Sequence, residues 1–90
     1  MERTFHDLKI HPKYAELRKL GIKTFEIRKN DRPYRVGNIL RLHTYAPGFG
    51  YLPDGGETQP TWCQEQAEVT WMTDFGMAEG YVCLATKPLI

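Results

Sequence analysis

The stretch from Gly21 to Arg32 constrains this chain more than any other, because it alternates apolar and ionic residues along one short strand. Side chains of a strand point to opposite faces with a period of two, so Phe25 and Ile27 take one face and Thr24, Glu26 and Arg28 the other. The expectation is that the apolar pair enters the core while the polar row faces a site. A merely solvated face carries interchangeable polar residues. Here a hydroxyl, a carboxylate and a guanidinium stand in a row, with Lys23 and Lys29 at its ends and Arg32 just beyond.

The rest of the chain must fit around this strand within 90 residues, which is room for one domain, 1–90, with one small core. A hydrophobic content of 41% and a charged content of 26% are those of an ordinary folded protein, so the disordered class is set aside. The N-terminal residues lack the apolar run of a signal peptide, and nothing approaches the roughly 18 apolar residues that cross a bilayer. The expected setting is cytoplasmic, with no membrane partner. Cys63 and Cys83 have no Cys-x-x-Cys spacing, and in a reducing compartment they read as small apolar residues rather than a disulfide. His6, His11 and His43 lack metal-ligand spacing and read as surface or partly packed, so neither a metal nor a cofactor is expected.

The net charge of +1 conceals an asymmetry. Residues 1–41 hold eleven Lys and Arg against five Asp and Glu, whereas residues 42–90 hold only Lys87 against six acids. If the basic half folds into one face, it is a footprint for phosphate or another anion. The alternative is a dipolar surface whose halves neutralise each other, since sequence halves need not be spatial halves.

Phe5 to Ile10 reads as a first strand. His11-Pro12 opens a helix with Pro12 at the first position, where its missing N–H costs nothing, and Gly21 follows as a left-handed cap. Tyr14, Leu17 and Leu20 are assigned to the apolar side of that helix. After the strand at 22–28 come a turn at 30–33, a second at Gly37-Asn38, and a buried strand from Ile39 toward Tyr45. Residues 46–60 gather four of the eight glycines and three prolines, which reads as a long exposed loop or hairpin tip. Within it Gly48-Phe49-Gly50 lacks the strand and helix context of a phosphate loop. Trp62 to Thr73 alternates through Ala67, Val69 and Trp71 as a strand, residues 75–80 form a turn, and Tyr81 to Ala85 is the last strand. About five strands with one or two short helices make the fold class α+β, as a small mixed or antiparallel barrel packed on a helix.

The Gly21 helix end, Lys23-Thr24, Glu26, Arg28, the segment Val36-Gly37-Asn38-Ile39-Leu40 and the closing Gly80-Tyr81-Val82-Cys83-Leu84 together resemble the ASCH family of the PUA-like superfamily. His6-Asp7-Leu8-Lys9-Ile10 combined with the 23–32 segment resembles, more narrowly, a compact branch of that family found in bacteria and their phages. The resemblance implies a PUA-like β-barrel that binds RNA, a nucleotide or a modified nucleoside. The ligand residues expected on the strand are Lys23, Thr24, Glu26 and Arg28, with Lys29 and Arg32 broadening a basic rim. Tyr34, Tyr45, Phe49, Tyr51 and Trp62 are candidate stacking residues, although Tyr45 and Trp62 read more simply as packing. The alternative for Lys23, Glu26 and Arg28 is an exposed cross-strand ion pair.

Two other functions stay open. Some small ASCH proteins resemble this chain at the Lys-Thr strand and are amidohydrolases acting on acylated nucleosides. That resemblance implies a catalytic lysine at Lys23, a threonine nucleophile where this chain has Glu26, and a distant acid for which Glu79 is the candidate. Thr24 is the available hydroxyl, but it stands about 7 Å along the strand from the required position. The third reading is a protein-interaction module that docks a partner through the 46–60 loop.

Overall fold

A computed structural model describes residues 3–48, 50–51 and 65–89. In chain order the elements are β1 (Phe5–Ile10), α1 (Pro12–Lys19), β2 (Phe25–Lys29), β3 (Ile39–Ala46), β4 (Gly50–Tyr51), β5 (Glu65–Thr73) and β6 (Tyr81–Pro88). The expected loop at 46–60, the stacking candidates Phe49 and Trp62, and Cys63 lie wholly or largely outside the described residues; of Tyr51 only the backbone is described.

The local signals in the helix act as expected. The His11 ring accepts from the Lys13 N–H at 3.2 Å, and Pro12 occupies the first turn. At the other end Gly21 takes φ +75°, and the Ile22 and Gly21 N–H groups return to the Leu17 and Arg18 carbonyls. This pairing satisfies the last carbonyls and turns the chain toward β2.

The strands make one mixed sheet in the order β1-β3-β5-β6-β2, with β4 added to β3. The β1–β3 pair is parallel and every other pair antiparallel. The class is therefore α+β, but the sheet does not close into the expected barrel. Its edge strands β1 and β2 share no ladder; instead Arg28 Nη1 donates to the Lys9 carbonyl and Arg32 Nη1 to the Asp7 carbonyl, both at 2.8 Å. Long guanidinium side chains bridge a gap too wide for main-chain bonding, and they cap carbonyls that an edge strand would leave open.

Inside the curled sheet lie Leu8, Ile10, Tyr34, Leu40, Leu42, Val69, Val82 and Leu84, with Ala15 and Met72 packed against them. Two expectations about facing are overturned. Phe25 and Ile27 are 41% and 50% exposed, whereas Glu26 between them is buried, so β2 turns its ionic residue inward and its apolar residues out. Likewise the helix buries Arg18 and leaves Tyr14 and Leu20 exposed. The two reversals share one cause: Arg18 and Glu26 neutralise each other, and each makes the burial of the other tolerable.

Trp71 departs from its expected inward phase for a different reason. The register against β6 shifts between Val69 and Trp71, a bulge that re-aims the following side chains and leaves Trp71 exposed. His6 and His43 also differ from expectation, for both are buried. His6 Nε2 donates to Asn38 Oδ1 at 2.9 Å beside the Tyr34 ring, and Tyr34 thus belongs to the core.

Candidate functional site

The candidate site is organised by Glu26. Arg18 from α1 reaches its Oε2 at 3.2 Å, Lys23 from the turn before β2 reaches the same oxygen at 2.5 Å, and Arg28 Nη2 reaches Oε1 at 2.8 Å. Arg18 continues the network: Nε and Nη2 grip the two oxygens of Glu65 at 2.8 and 2.9 Å, and Nη2 also donates to the Thr86 hydroxyl. That hydroxyl in turn donates to the Thr24 carbonyl. Arg18 thus bridges two carboxylates, and Lys23 and Arg28 bring two more cations to Glu26. Burial works against the Arg18 charge, but the Glu65 bonds and the nearby Glu26 charge outweigh it and raise its pKa.

The geometry leaves bonding capacity directed outward. Among the described residues Lys23 spends one donor on Glu26 and one on the Phe25 carbonyl at 2.7 Å, which leaves one of its three. Among the described residues Glu26 Oε1 accepts from Arg28 alone, which leaves one lone pair toward the hollow. Both groups line a hollow of about 290 Å³ whose walls also include Tyr14, His11, Lys9 and Arg28. The Tyr14 ring is half exposed, with the Lys23 ammonium 5.4 Å from its centroid.

Lys9 and Arg28 also line a second, larger cleft of about 490 Å³, bordered further by Lys29, Arg32, Asp31 and His43. Four cations and the carboxylates of Asp7 and Asp31 surround it, which leaves a basic balance. Lys29 is exposed, and its ammonium has no hydrogen-bond or ion-pair partner among the described residues. Tyr34 forms part of the cleft wall; burial raises its pKa against the opposing pull of Arg32 and Arg28, so it stays neutral there. Asp7 accepts from His43 Nε2 at 2.9 Å and from Arg41 Nη2 at 3.0 Å. Burial alone would raise its pKa, but these two partners lower it below the ordinary carboxylate value.

The structure thus brings Lys23, Glu26 and Arg28 together around one hollow and Arg28, Lys29 and Arg32 around the adjoining cleft. It does not bring in Thr24, whose side chain is exposed and lines neither space. Glu79 sits in the turn before β6 whose Gly80 carbonyl binds Asn30, at the far end of β2 from Lys23. Sequence reasoning missed Arg18, Glu65 and Lys9. The one available signal was Arg18 three residues after Ala15, the helix's only small apolar residue, on what proves to be its packed side.

Fold and site together define a small α+β domain built around a buried ionic hub that opens onto a basic cleft. By sequence the chain belongs to the family described as a domain of unknown function, DUF3850, which it matches over residues 5–86. It is also 42% identical over 48 residues to an uncharacterized 12.9 kDa protein in the GpA 3′ region of Escherichia phage P2. That match takes in 53% of this chain and 44% of the phage protein, so the chain spans less than half of that relative's length. A phage relative agrees with the phage part of the setting expected above, and neither description names a ligand or a reaction. Among the described residues no helix is long and apolar enough to cross a membrane.

Proposed function

We propose that this domain binds an RNA strand, a nucleotide or a modified nucleoside, as an open-sheet variant of the PUA-like, ASCH-type fold. The observation that carries the reading is Arg28, which links the Glu26 hollow to the basic cleft. A phosphate fits the cleft side, where Lys29, Arg32 and Arg28 supply the charge. A nucleoside fits the hollow, where the spare Lys23 donor and Glu26 acceptor face a polar edge and Tyr14 offers an aromatic surface. The combined volume is in the range of small-ligand sites.

The test is a fluorescence titration with single-stranded RNA and with free nucleotides at several salt concentrations. Contact with two or three phosphates gives a log-log salt slope of roughly −1.5 to −2. Lys29→Ala should weaken RNA binding and flatten that slope while leaving the fold intact, because Lys29 is exposed. Binding that ignores both salt and Lys29→Ala would refute the cleft. Binding of nucleotides without RNA would restrict the ligand to the small molecule.

A further inference from the structure

We propose that the hollow around Glu26 selects uracil among the nucleobases, by the imide edge of the ring. This inference rests on the nucleoside reading above and names the base which that reading takes. The imide edge of uracil is a single N–H flanked by two carbonyl oxygens, so it offers an acceptor, a donor and an acceptor side by side. The wall of the hollow offers the complement.

Glu26 Oε1 is the acceptor in the middle. Among the described residues it takes one bond, from Arg28 Nη2 at 2.8 Å, and its other lone pair is open. The second oxygen is already filled, for Oε2 accepts from Arg18 at 3.2 Å and from Lys23 at 2.5 Å. Lys23 therefore holds the carboxylate on one side and Arg28 on the other. Both keep donors to spare: Lys23 has one of its three N–H groups left, and Arg28, among the described residues, spends two of its five, on Glu26 and on the Lys9 carbonyl. All three side chains line the hollow, and the half-exposed Tyr14 ring in the same wall offers a surface to the base plane. Three ion pairs fix the carboxylate in place, so the array stands ready before any ligand arrives.

The other bases present the wrong series. Cytosine and adenine carry an amino group, and one that donates a hydrogen to Oε1 turns its second hydrogen toward a flanking cation. Donor against donor is a repulsive element, and it works against both bases. A carboxylate grips guanine by taking N1–H and the 2-amino group on its two oxygens, and here Oε2 is filled by Arg18 and Lys23. Guanine bound through N1–H alone leaves its amino group facing a cation without an acceptor. Uracil gives its single N–H to Oε1 and a carbonyl to each cation. A site built on hydrogen bonds discriminates in this way more sharply than shape does.

Fluorescence anisotropy with end-labelled oligouridylate, oligocytidylate and oligoadenylate of equal length tests the proposal, with UMP and GMP compared as unlabelled competitors. The oligomers carry the same phosphates, so the salt-dependent contribution is common to them. Oligouridylate is expected to bind at least about ten-fold tighter than the other two, and UMP to compete at least about ten-fold better than GMP. Oligouridylate methylated at N3 keeps both carbonyls and every phosphate but loses the proton that Glu26 accepts, and its affinity should fall to that of oligocytidylate or below. Lys23→Ala, checked for folding by circular dichroism, should narrow the preference for uridylate over cytidylate, because one of the cations that oppose the amino group is gone. Equal affinity for the three oligomers, a preference for another base, undiminished binding of the methylated oligomer, or an unchanged preference in the folded variant would overturn the uracil assignment and leave the nucleotide reading standing. Failure of every oligomer and nucleotide to bind would refute that reading, and this inference with it.

Discussion

Glu26→Gln should destabilise this protein far more than Phe25→Ala, although the sequence pattern alone argues the reverse. Glu26 is buried and accepts from Arg18, Lys23 and Arg28 at once. The amide keeps the volume but removes the charge, which leaves three cations around one neutral group. Breaking a buried ion pair from one side costs about 3–5 kcal/mol. Glu65 still holds Arg18, and Lys23 and Arg28 retain some contact with water, so the lower end, about 3 kcal/mol, is expected. Phe25 already exposes 41% of its surface, and truncating it removes only the remaining contacts, about 1 kcal/mol. For a domain of this size, 3 kcal/mol lowers Tm by about 12–24 °C and 1 kcal/mol by about 4–8 °C. The assay is thermal and urea denaturation followed by circular dichroism. If Phe25→Ala proved as damaging as Glu26→Gln, the inward facing of Glu26 would be refuted.

Two further outcomes follow from the site. Asp7 has a pKa lowered in the folded state, so its ionised form stabilises the fold above the ordinary carboxylate value near 4, and that contribution is lost as pH falls through the folded value. Wild type should therefore lose more stability than Asp7→Asn between about pH 5 and pH 2, and equal losses in urea melts would contradict the His43 and Arg41 pairing. Purified protein should not hydrolyse N-acylated cytidine, because Glu26 is held in three ion pairs and the Thr24 side chain lines neither the hollow nor the cleft; chromatographic detection of turnover that Lys23→Ala abolishes would reverse this reading.

Much of the scaffold was legible because it rests on local chemistry. Pro12 and Gly21 bound the helix, Gly37-Asn38 precedes β3, and the apolar runs at 39–42 and 82–84 become central strands. The grouping of Lys23, Glu26 and Arg28 was legible for the same reason, since three residues in or beside one strand have few places to go. Arg18 and Glu65 were not, because they meet across 47 residues and nothing near either one in sequence marks the other. The bulge that turns Trp71 outward also depends on pairing with β6 and leaves no trace in the alternation of β5.

By itself, then, the sequence determined where this chain bends, where it extends and, in the unbulged β2, which residues share a strand face, since those depend on backbone sterics and side-chain periodicity. Only the tertiary structure decided which face turns inward. Alternation is symmetric: it separates Phe25 and Ile27 from Glu26 and Arg28 without saying which pair is buried. Hydrophobicity would place the aromatic inside. The arrival of Arg18 from the helix, itself anchored by Glu65, supplies the opposite charge that makes burial of a carboxylate the better arrangement. The open edge was decided in the same way, with Arg28 and Arg32 reaching β1 carbonyls where no main-chain ladder joins β1 to β2.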